Sequence, residues 1–248
     1  LLAHSSTFKE EKVYMRTIFN QFLANSTLCV CCNYHPNQKN GFCLGCYHDL
    51  PHLKTPCLHC GLPLIDGQFC TCKAEDWPFT ACISAFSYQF PIKQLISQYK
   101  NQARLALCLP MAQALVTQIR HLNLPLPQLL IPVPTHAQKL KQRGFNQSAE
   151  LAKNLAQLLN IPVDLHSLQL AHQTNSQKQL SKQQRQHNTA HIYQLNKPIS
   201  ATHIAIIDDV ITTGATTKSL AYLLREQGAK QIQTWTIART LVKSTQKT

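Results

Sequence analysis

Two adjacent aspartates precede a loop of small residues near the carboxyl end of the chain. Asp208 and Asp209 follow an apolar run over residues 204–207. After two further apolar residues the loop reads Thr212, Thr213, Gly214, Ala215 and Thr216. Backbone N–H groups that converge at a helix N-terminus bind phosphate, and a carboxylate accepts hydrogen bonds from vicinal hydroxyls or holds a hydrated magnesium ion. Together these features predict a site for a phosphate beside a diol, as in ribose 5-phosphate.

The elements on either side of this loop would position it. The run 204–207 is apolar and rich in β-branched residues, which is typical of a strand covered on both faces and predicts that the strand ends before the aspartates. From Lys218 the leucines keep helical spacing up to Gly228, which predicts a helix. A Walker-type loop is excluded because its fixed glycines and Gly-Lys-Ser/Thr ending are absent. The alternative is an ordinary strand end followed by a turn and a helix cap.

A group of cations follows another predicted strand. The apolar run 129–131 predicts a buried strand, and a loop with Lys139, Lys141 and Arg143 separates it from a predicted helix over 148–159. Cations at the carboxyl end of a strand suit a pyrophosphate. A solvated basic loop is the alternative, and the sequence leaves it open.

Nine of the eleven cysteines lie between residues 29 and 72. Eight of them form four closely spaced pairs, namely Cys29 with Cys32, Cys43 with Cys46, Cys57 with Cys60, and Cys70 with Cys72. Such pairs indicate metal rather than disulfides, because two thiolates on one tight turn can bind the same ion. The first four cysteines predict one zinc site. The second four are less regular, since residues two apart in an extended chain reach one site only if the backbone bends.

Other ligand sets remain open at this point. The pairs can also interleave, and further cysteine and histidine side chains nearby can substitute, namely Cys31, His35, His48, His52 and His59. Four thiolates leave no open coordination position, and a region with so few large aliphatic residues depends on metal to stay folded. We therefore expect the zinc to be structural.

Composition predicts two domains and an anionic partner. The chain has 248 residues and a formal charge of +13 with histidine neutral, which favours nucleic acid, anionic membranes or phosphorylated metabolites. We expect residues 1–76 to form an N-terminal helix, over 11–24, and a cysteine-rich module, and residues 77–248 to form the second domain. The sequence has neither a long apolar run nor a secretory pattern, so we expect a soluble intracellular protein.

The second domain has the pattern of an α/β fold. Apolar runs over 81–90, 129–131, 204–207 and 232–238 predict strands, and helices are predicted between them, including 91–100 and 111–122. This alternation predicts a mainly parallel sheet with helices on both faces, in which ligands bind at the carboxyl ends of the strands. The polar stretch 171–188 is a candidate lid.

These motifs resemble two related groups of proteins. The Asp-Asp pair with Thr-Thr-Gly-x-Thr resembles the phosphoribosyl-pyrophosphate motif of type I phosphoribosyltransferases. With the cysteine pairs, the Pro-Val-Pro of residues 132–134 and the Arg-Gly-Phe-Asn-Gln of 143–147, the chain resembles the ComF competence proteins, phosphoribosyltransferase-like proteins needed for DNA uptake in transformable bacteria. A further ComF pattern is filled by Thr174, Gln177, Leu180, Arg185 and Asn188. His172 and Leu170 stand where relatives usually carry arginines, and Tyr193 where they carry phenylalanine.

The resemblance implies a role for each feature. Asp208 and Asp209 would face the ribose hydroxyls of phosphoribosyl pyrophosphate, with magnesium bound alongside, and the loop 212–216 would wrap the 5-phosphate. Arg143 would contact the same ligand. Lys139, Lys141 and Arg185 are candidate contacts to pyrophosphate or nucleic acid. The protein would act in the cytoplasm, or at the inner face of the membrane through the DNA-import machinery.

Three functions are compatible with these residues. The first is an accessory protein of natural transformation that binds a ribose phosphate and handles single-stranded DNA, for which the candidate stacking aromatics are Tyr34, Phe42, Tyr47 and Phe69. The second is an active phosphoribosyltransferase of nucleotide metabolism, but the sequence identifies no acceptor site. The third is a regulator that senses ribose phosphate by folding the candidate lid.

Overall fold

The computed structural model describes residues 28–64, 69–171 and 192–241. The predicted helix over 11–24 lies outside these ranges, and so does nearly all of the candidate lid, including Arg185. Across the described residues no helix combines the length and the apolar character needed to cross a membrane.

The cysteine-rich region contains little regular structure. Its α-helix, α1 (Leu44–Asp49), begins after Cys43, whose side chain accepts a hydrogen bond from the Cys46 N–H. A single 3₁₀ turn, Ala74–Asp76, leads towards the second domain. The module is held by turns and isolated backbone pairs rather than by a sheet, as expected for a region that metal organises.

Four parallel strands form the central sheet of the second domain. They are β1 (Ala81–Ser87), β2 (Leu129–Pro132), β5 (His203–Ile211) and β6 (Gln231–Arg239), in the order β1–β6–β5–β2. Two short strands, β3 (Leu168–Leu170) and β4 (Tyr193–Leu195), form a separate antiparallel pair. The parallel arrangement expected from the sequence is confirmed.

Helices cover both faces of this sheet. In chain order the helices of this domain are α2 (Ile92–Asn101), α3 (Cys108–Leu122), α4 (Ala137–Arg143), α5 (Gln147–Leu159) and α6 (Ala215–Glu226), of which α4 has no buried residue. Apolar residues of α2, α3 and α5 join the core on one face, and those of α6 join the core on the other. Consecutive strand residues supply the two cores in turn, since Ala205 and Ile207 pack in the first and Ile204 and Ile206 in the second.

Two elements differ from the sequence-based expectation. Strand β5 continues through Asp208 and Asp209 and ends at Ile211, because β6 pairs with it up to the register Ile211 with Arg239. The aspartates therefore lie within the last part of the strand and not after it. The prediction of a loop at Lys139, Lys141 and Arg143 is also wrong, because these three residues lie on the short helix α4.

The cysteine module packs along the free edge of β1. The Leu53 N–H donates to the Ala85 carbonyl, the Ser87 N–H to the Pro51 carbonyl, and the Cys82 N–H to the Leu58 carbonyl. Buried residues of the module share the hydrophobic core beneath α3 with the sheet. The boundary after residue 76 stays a prediction.

Candidate functional site

Asp208 is held by hydrogen bonds at the carboxyl end of the sheet. Its Oδ1 accepts a hydrogen bond from Ser148 Oγ at 3.0 Å and another from the Asp209 N–H at 2.9 Å. Ser148 lies in the first turn of α5, so the start of this helix fixes the carboxylate. Burial raises the pKa of Asp208 from its ordinary 3.8 to about 6, while the Ser148 hydrogen bond and the charge of Lys100 act in the opposite direction.

Asp209 is almost fully buried and makes an ion pair. Its Oδ2 lies 2.5 Å from Lys100 Nζ, which the last turn of α2 brings to the sheet. Burial lowers the pKa of Lys100 from 10.5 to about 8, the Asp208 carboxylate opposes this shift, and the nearby Arg143 and Lys139 reinforce it. Two carboxylates and several cations therefore lie close together at the carboxyl end of the sheet.

The small-residue loop between β5 and α6 is open to solvent. Thr212, Thr213, Ala215 and Thr216 are exposed, and Gly214 is buried. Helix α6 begins directly after Gly214, so the N–H groups of its first turn have no partners within the helix. The Ala215 N–H donates a hydrogen bond to the Thr213 hydroxyl oxygen at 3.3 Å. These four exposed residues leave the loop accessible to a phosphate.

Trp77 covers the glycine of the loop. A Cβ added at Gly214 would lie 2.8 Å from Trp77 Cζ3, and the backbone φ of +77° is one that other residues rarely adopt. Glycine is therefore required here for two reasons, the left-handed conformation and the close approach of the indole ring. Lys218 Nζ lies over the same ring, 3.7 Å from its centroid.

The helix α4 presents its cations beside the aspartates. Lys139 and Lys141 are exposed, and Arg143 is half-buried with its guanidinium donating to Gln147 Oε1 at 3.1 Å. Lys139 and Arg143 lie close enough to Lys100 to lower its pKa. The structure thus brings Lys139 and Arg143 towards Asp208 and Asp209, whereas Lys141 is an exposed residue of the same helix.

Two clusters of four cysteines form in the N-terminal module. In each cluster the four sulfurs lie within 4.8 Å of one another, and the members are Cys29, Cys32, Cys43 and Cys46 in the first cluster and Cys57, Cys60, Cys70 and Cys72 in the second. Sulfur pairs such as Cys32 with Cys43, at 3.9 Å, and Cys57 with Cys72, at 3.7 Å, match the separation of about 3.8 Å expected in a tetrahedral zinc tetrathiolate. Both clusters could hold a metal ion.

This geometry favours one of the ligand sets that the sequence leaves open. The pairs combine in chain order and do not interleave, and within the described ranges neither Cys31 nor any histidine belongs to a cluster. The second cluster closes because the chain bends at Cys72, whose N–H lies 3.5 Å from Cys70 Sγ. Such N–H groups stabilise negative charge on a thiolate.

Four residues of the site were not predicted from the sequence, namely Trp77, Lys100, Ser148 and Arg239. All four reach the site from elements far apart in the sequence. The one available signal was position, since Arg239 is a charged residue at the carboxyl end of a predicted buried strand.

Comparison with known proteins identifies the family. A sequence model of the phosphoribosyl transferase domain matches residues 146–247. The chain is 31% identical to the DNA utilization protein YhgH of Salmonella typhi and to Competence protein F of Haemophilus influenzae, each over 210 residues that cover 81% of this chain and 91% of the relative. The chain belongs to the ComF family. A shorter match, 31% over 112 residues, relates it to Competence protein ComFC of Bacillus subtilis.

Membership of the ComF family agrees with the fold. The matched residues 146–247 run from the start of α5 to beyond β6 and contain the aspartates, the loop and Arg239. The phosphoribosyltransferase-like domain with a mainly parallel sheet, preceded by a module able to hold metal, is confirmed. Lys100 and the cysteines lie outside the matched segment.

Proposed function

We propose that this protein acts in DNA uptake during natural transformation, binding phosphoribosyl pyrophosphate or a related ribose phosphate and handling incoming single-stranded DNA. The main support for binding of this ligand is the open loop 212–216, which lies at a helix N-terminus directly beside Asp208 and Asp209. The relatives named as competence and DNA utilization proteins support the biological role.

Each part of the ligand has a matching chemical group. The loop N–H groups bind the 5-phosphate, since unpaired amides and the helix dipole both favour an anion. Asp208 and Asp209 accept hydrogen bonds from the ribose hydroxyls. Arg143 and Lys100 contact the pyrophosphate, with Lys139 as an exposed contact at its rim, because these cations gather beside the carboxylates.

Metal ions take two different roles in this proposal. Magnesium accompanies phosphoribosyl pyrophosphate and neutralises its phosphate oxygens, held beside the aspartates. Zinc fills the two cysteine clusters, where four thiolates leave no position for a reacting molecule, and is structural. We assign residues 1–76 to this module and residues 77–248 to the ligand-binding domain.

The surface contains features suited to single-stranded DNA. The net charge of +13 and the exposed Lys139 and Lys141 attract a polyanion. Of the four candidate stacking aromatics, Tyr34 and Phe69 are strongly exposed and remain candidates. Phe42 does not, because it is fully buried in the core beside the first cysteine cluster. We place the protein in the cytoplasm, where it meets DNA emerging from the import machinery.

Catalysis of phosphoribosyl transfer is the second candidate. Tyr193, at the start of β4, lies within hydrogen-bonding reach of the Thr216 side chain and close to Asp208. The β3–β4 pair therefore stands beside the proposed donor site, at a position where an acceptor base could be held. Release of pyrophosphate with a common base would favour this function over the accessory role.

Calorimetric titration tests the ligand. We expect the wild-type protein to bind phosphoribosyl pyrophosphate in the presence of magnesium and the double variant Asp208→Asn with Asp209→Asn to lose that binding while remaining folded. The matched control is Asp49→Asn, which removes the charge of an exposed aspartate in α1. Unchanged binding by the double variant would refute the site.

A further inference from the structure

Arg239 is a fully buried cation held by backbone carbonyls. Its side chain is 1% exposed. The guanidinium donates to the carbonyls of Cys60 at 2.7 Å, Ile211 at 3.2 Å, Thr240 at 3.0 Å and Thr212. No carboxylate in the described part of the chain forms an ion pair with it. A rigid fork of donors is needed to satisfy so many acceptors at once, which lysine cannot supply.

These carbonyls belong to two different sites. Cys60 is a member of the second cysteine cluster, whereas Ile211 and Thr212 lead into the loop proposed to bind phosphate. One side chain therefore joins the backbone of a candidate metal ligand to the backbone of the loop. A movement of Cys60 would break a charge-assisted hydrogen bond and release one side of the guanidinium.

The chain around the second cluster leaves little room for adjustment. A Cβ added at Gly61, next to Cys60, would lie 2.7 Å from Cys82 Sγ, and its φ of +71° suits glycine. The backbone beside the cluster therefore packs closely against β1 and Arg239. Displacement of the cluster would be transmitted to the sheet because close-packed interiors do not deform smoothly.

Trp77 provides a second connection. It follows the last cysteine of the second cluster after one 3₁₀ turn and packs on Gly214. Lys218 Nζ and Arg239 Cζ lie 3.7 Å and 5.6 Å from the centroid of its ring. The indole thus rests on the loop glycine and also lies against Lys218 and Arg239.

Charge balance adds to this mechanical connection. A zinc ion with four thiolates carries a net charge of about −2, and the Arg239 guanidinium lies next to the cluster because it donates to the Cys60 carbonyl at 2.7 Å. The filled second cluster would therefore supply the counter-charge of a cation that forms no ion pair with a carboxylate of the described residues. Loss of the metal removes that charge along with the geometry.

The first cluster has no comparable connection. Cys29 and Cys43 pack in the hydrophobic core on the α3 side of the sheet, and a Cβ added at the nearby Gly41 would meet Pro110 of α3. In the described ranges no hydrogen bond joins this cluster to residues 211–217. The chain therefore contains its own matched control.

We propose that metal binding at the second cysteine cluster sets the conformation of the loop 212–216, with Arg239 and Trp77 as the positioning residues. The inference rests on the proposed ribose-phosphate site for its functional consequence. Removal of metal from the second cluster loosens the loop and weakens binding of the terminal phosphate. Removal from the first cluster leaves both unchanged.

The test compares Cys72→Ser with Cys32→Ser, one ligand from each cluster. Elemental analysis should show that each variant loses about one zinc ion. Hydrogen exchange of the amides of residues 212–217 should become faster in Cys72→Ser only, and affinity for ribose 5-phosphate should fall about tenfold or more in that variant only. Equal effects of the two variants on the loop, or no effect of either, would overturn the proposal.

Arg239→Lys keeps the inference testable if Cys72→Ser fails to fold. This variant retains the charge and all eight cysteine ligands but cannot satisfy the four carbonyls. We expect this variant to keep its full zinc content and to show faster hydrogen exchange in residues 212–217. General destabilisation would instead speed exchange in other parts of the chain as well. Unchanged loop exchange would overturn the role of Arg239. If the wild-type protein binds no ribose phosphate, the proposed function fails while the exchange measurements still decide the coupling.

Discussion

The two neighbouring aspartates should affect stability in opposite directions. Asp208→Asn should raise the free energy of unfolding at about pH 7.5, because burial raises the pKa of this carboxyl from 3.8 to about 6 and the ionised form is therefore unfavourable in the folded chain. A tenfold change in an ionisation constant corresponds to about 1.4 kcal/mol, so the charge costs up to about 3 kcal/mol. Partial access to solvent reduces the expected gain to about 1–3 kcal/mol. The asparagine Oδ1 can still accept from Ser148 Oγ and the Asp209 N–H.

Asp209→Asn should lower the free energy of unfolding. Its carboxylate is the ion-pair partner of Lys100, and the two side chains are 6% and 22% exposed. Removing one partner leaves the lysine charge mostly buried without its nearest counter-charge. Full burial would make this loss worth about 3–5 kcal/mol, and the partial exposure of Lys100 reduces it to about 1–3 kcal/mol.

The effect of Asp208 also has a defined pH dependence. A carboxyl whose pKa is raised on folding stabilises the protein at low pH, and this contribution is lost as the pH rises from about 4 through about 6. The advantage of Asp208→Asn over the wild type should therefore be largest above about pH 7 and shrink by about 1 kcal/mol on lowering the pH to about 5.5. More acidic conditions would protonate the cysteine ligands and release zinc.

Urea unfolding with zinc in the buffer measures these differences. Tryptophan fluorescence reports on unfolding through Trp235, which is buried in β6, and Trp77, which packs on the loop. The control is Asp49→Asn, which removes the same charge from the surface and should change stability by less than about 0.5 kcal/mol. If Asp208→Asn is no more stable than the wild type, or Asp209→Asn is no less stable, the assignment of partners to the two carboxylates is wrong.

Three further predictions follow from the site and the cysteine clusters. Gly214→Ala should weaken ribose 5-phosphate binding about tenfold in calorimetry, since the added Cβ would meet Trp77 at 2.8 Å and φ is +77°; an unchanged affinity would exclude this loop as the phosphate site. The double variant Lys139→Glu with Lys141→Glu should bind single-stranded DNA with a weaker salt dependence, measured by fluorescence anisotropy. The slope of log affinity against log salt concentration should decrease in magnitude by about 1.4, and an unchanged slope would place the DNA elsewhere. A zinc chelator should expose the amides of residues 28–64 to hydrogen exchange before those of the sheet, and full protection in metal-free protein would contradict a structural role for the metal.

The elements that depend on local sequence were predictable. Apolar runs revealed the four parallel strands, and leucine spacing revealed α5 and α6, because burial on a sheet face or a helix stripe leaves a period in the sequence. The first cysteine cluster was predictable for a similar reason, since two tight turns each place two thiolates together. The Asp-Asp pair and the loop were found by their residue types.

What the sequence could not supply are contacts between distant segments. Strand β5 extends to Ile211 because β6 pairs with it there, and nothing within residues 204–211 indicates that pairing. Lys100 reaches Asp209 only because α2 packs across the sheet. The second cysteine cluster depends on a backbone bend at Cys72 that residue types do not specify.

The cover that residues 51–58 provide for β1 has a consequence for the whole molecule. The uncovered edge strand of a sheet has unpaired N–H and C=O groups that can pair with a strand of another molecule. A shortened chain beginning at Trp77 would expose that edge, together with the apolar surface that the cysteine module buries. We expect such a fragment to self-associate through strand addition, because the N-terminal module would no longer protect this edge.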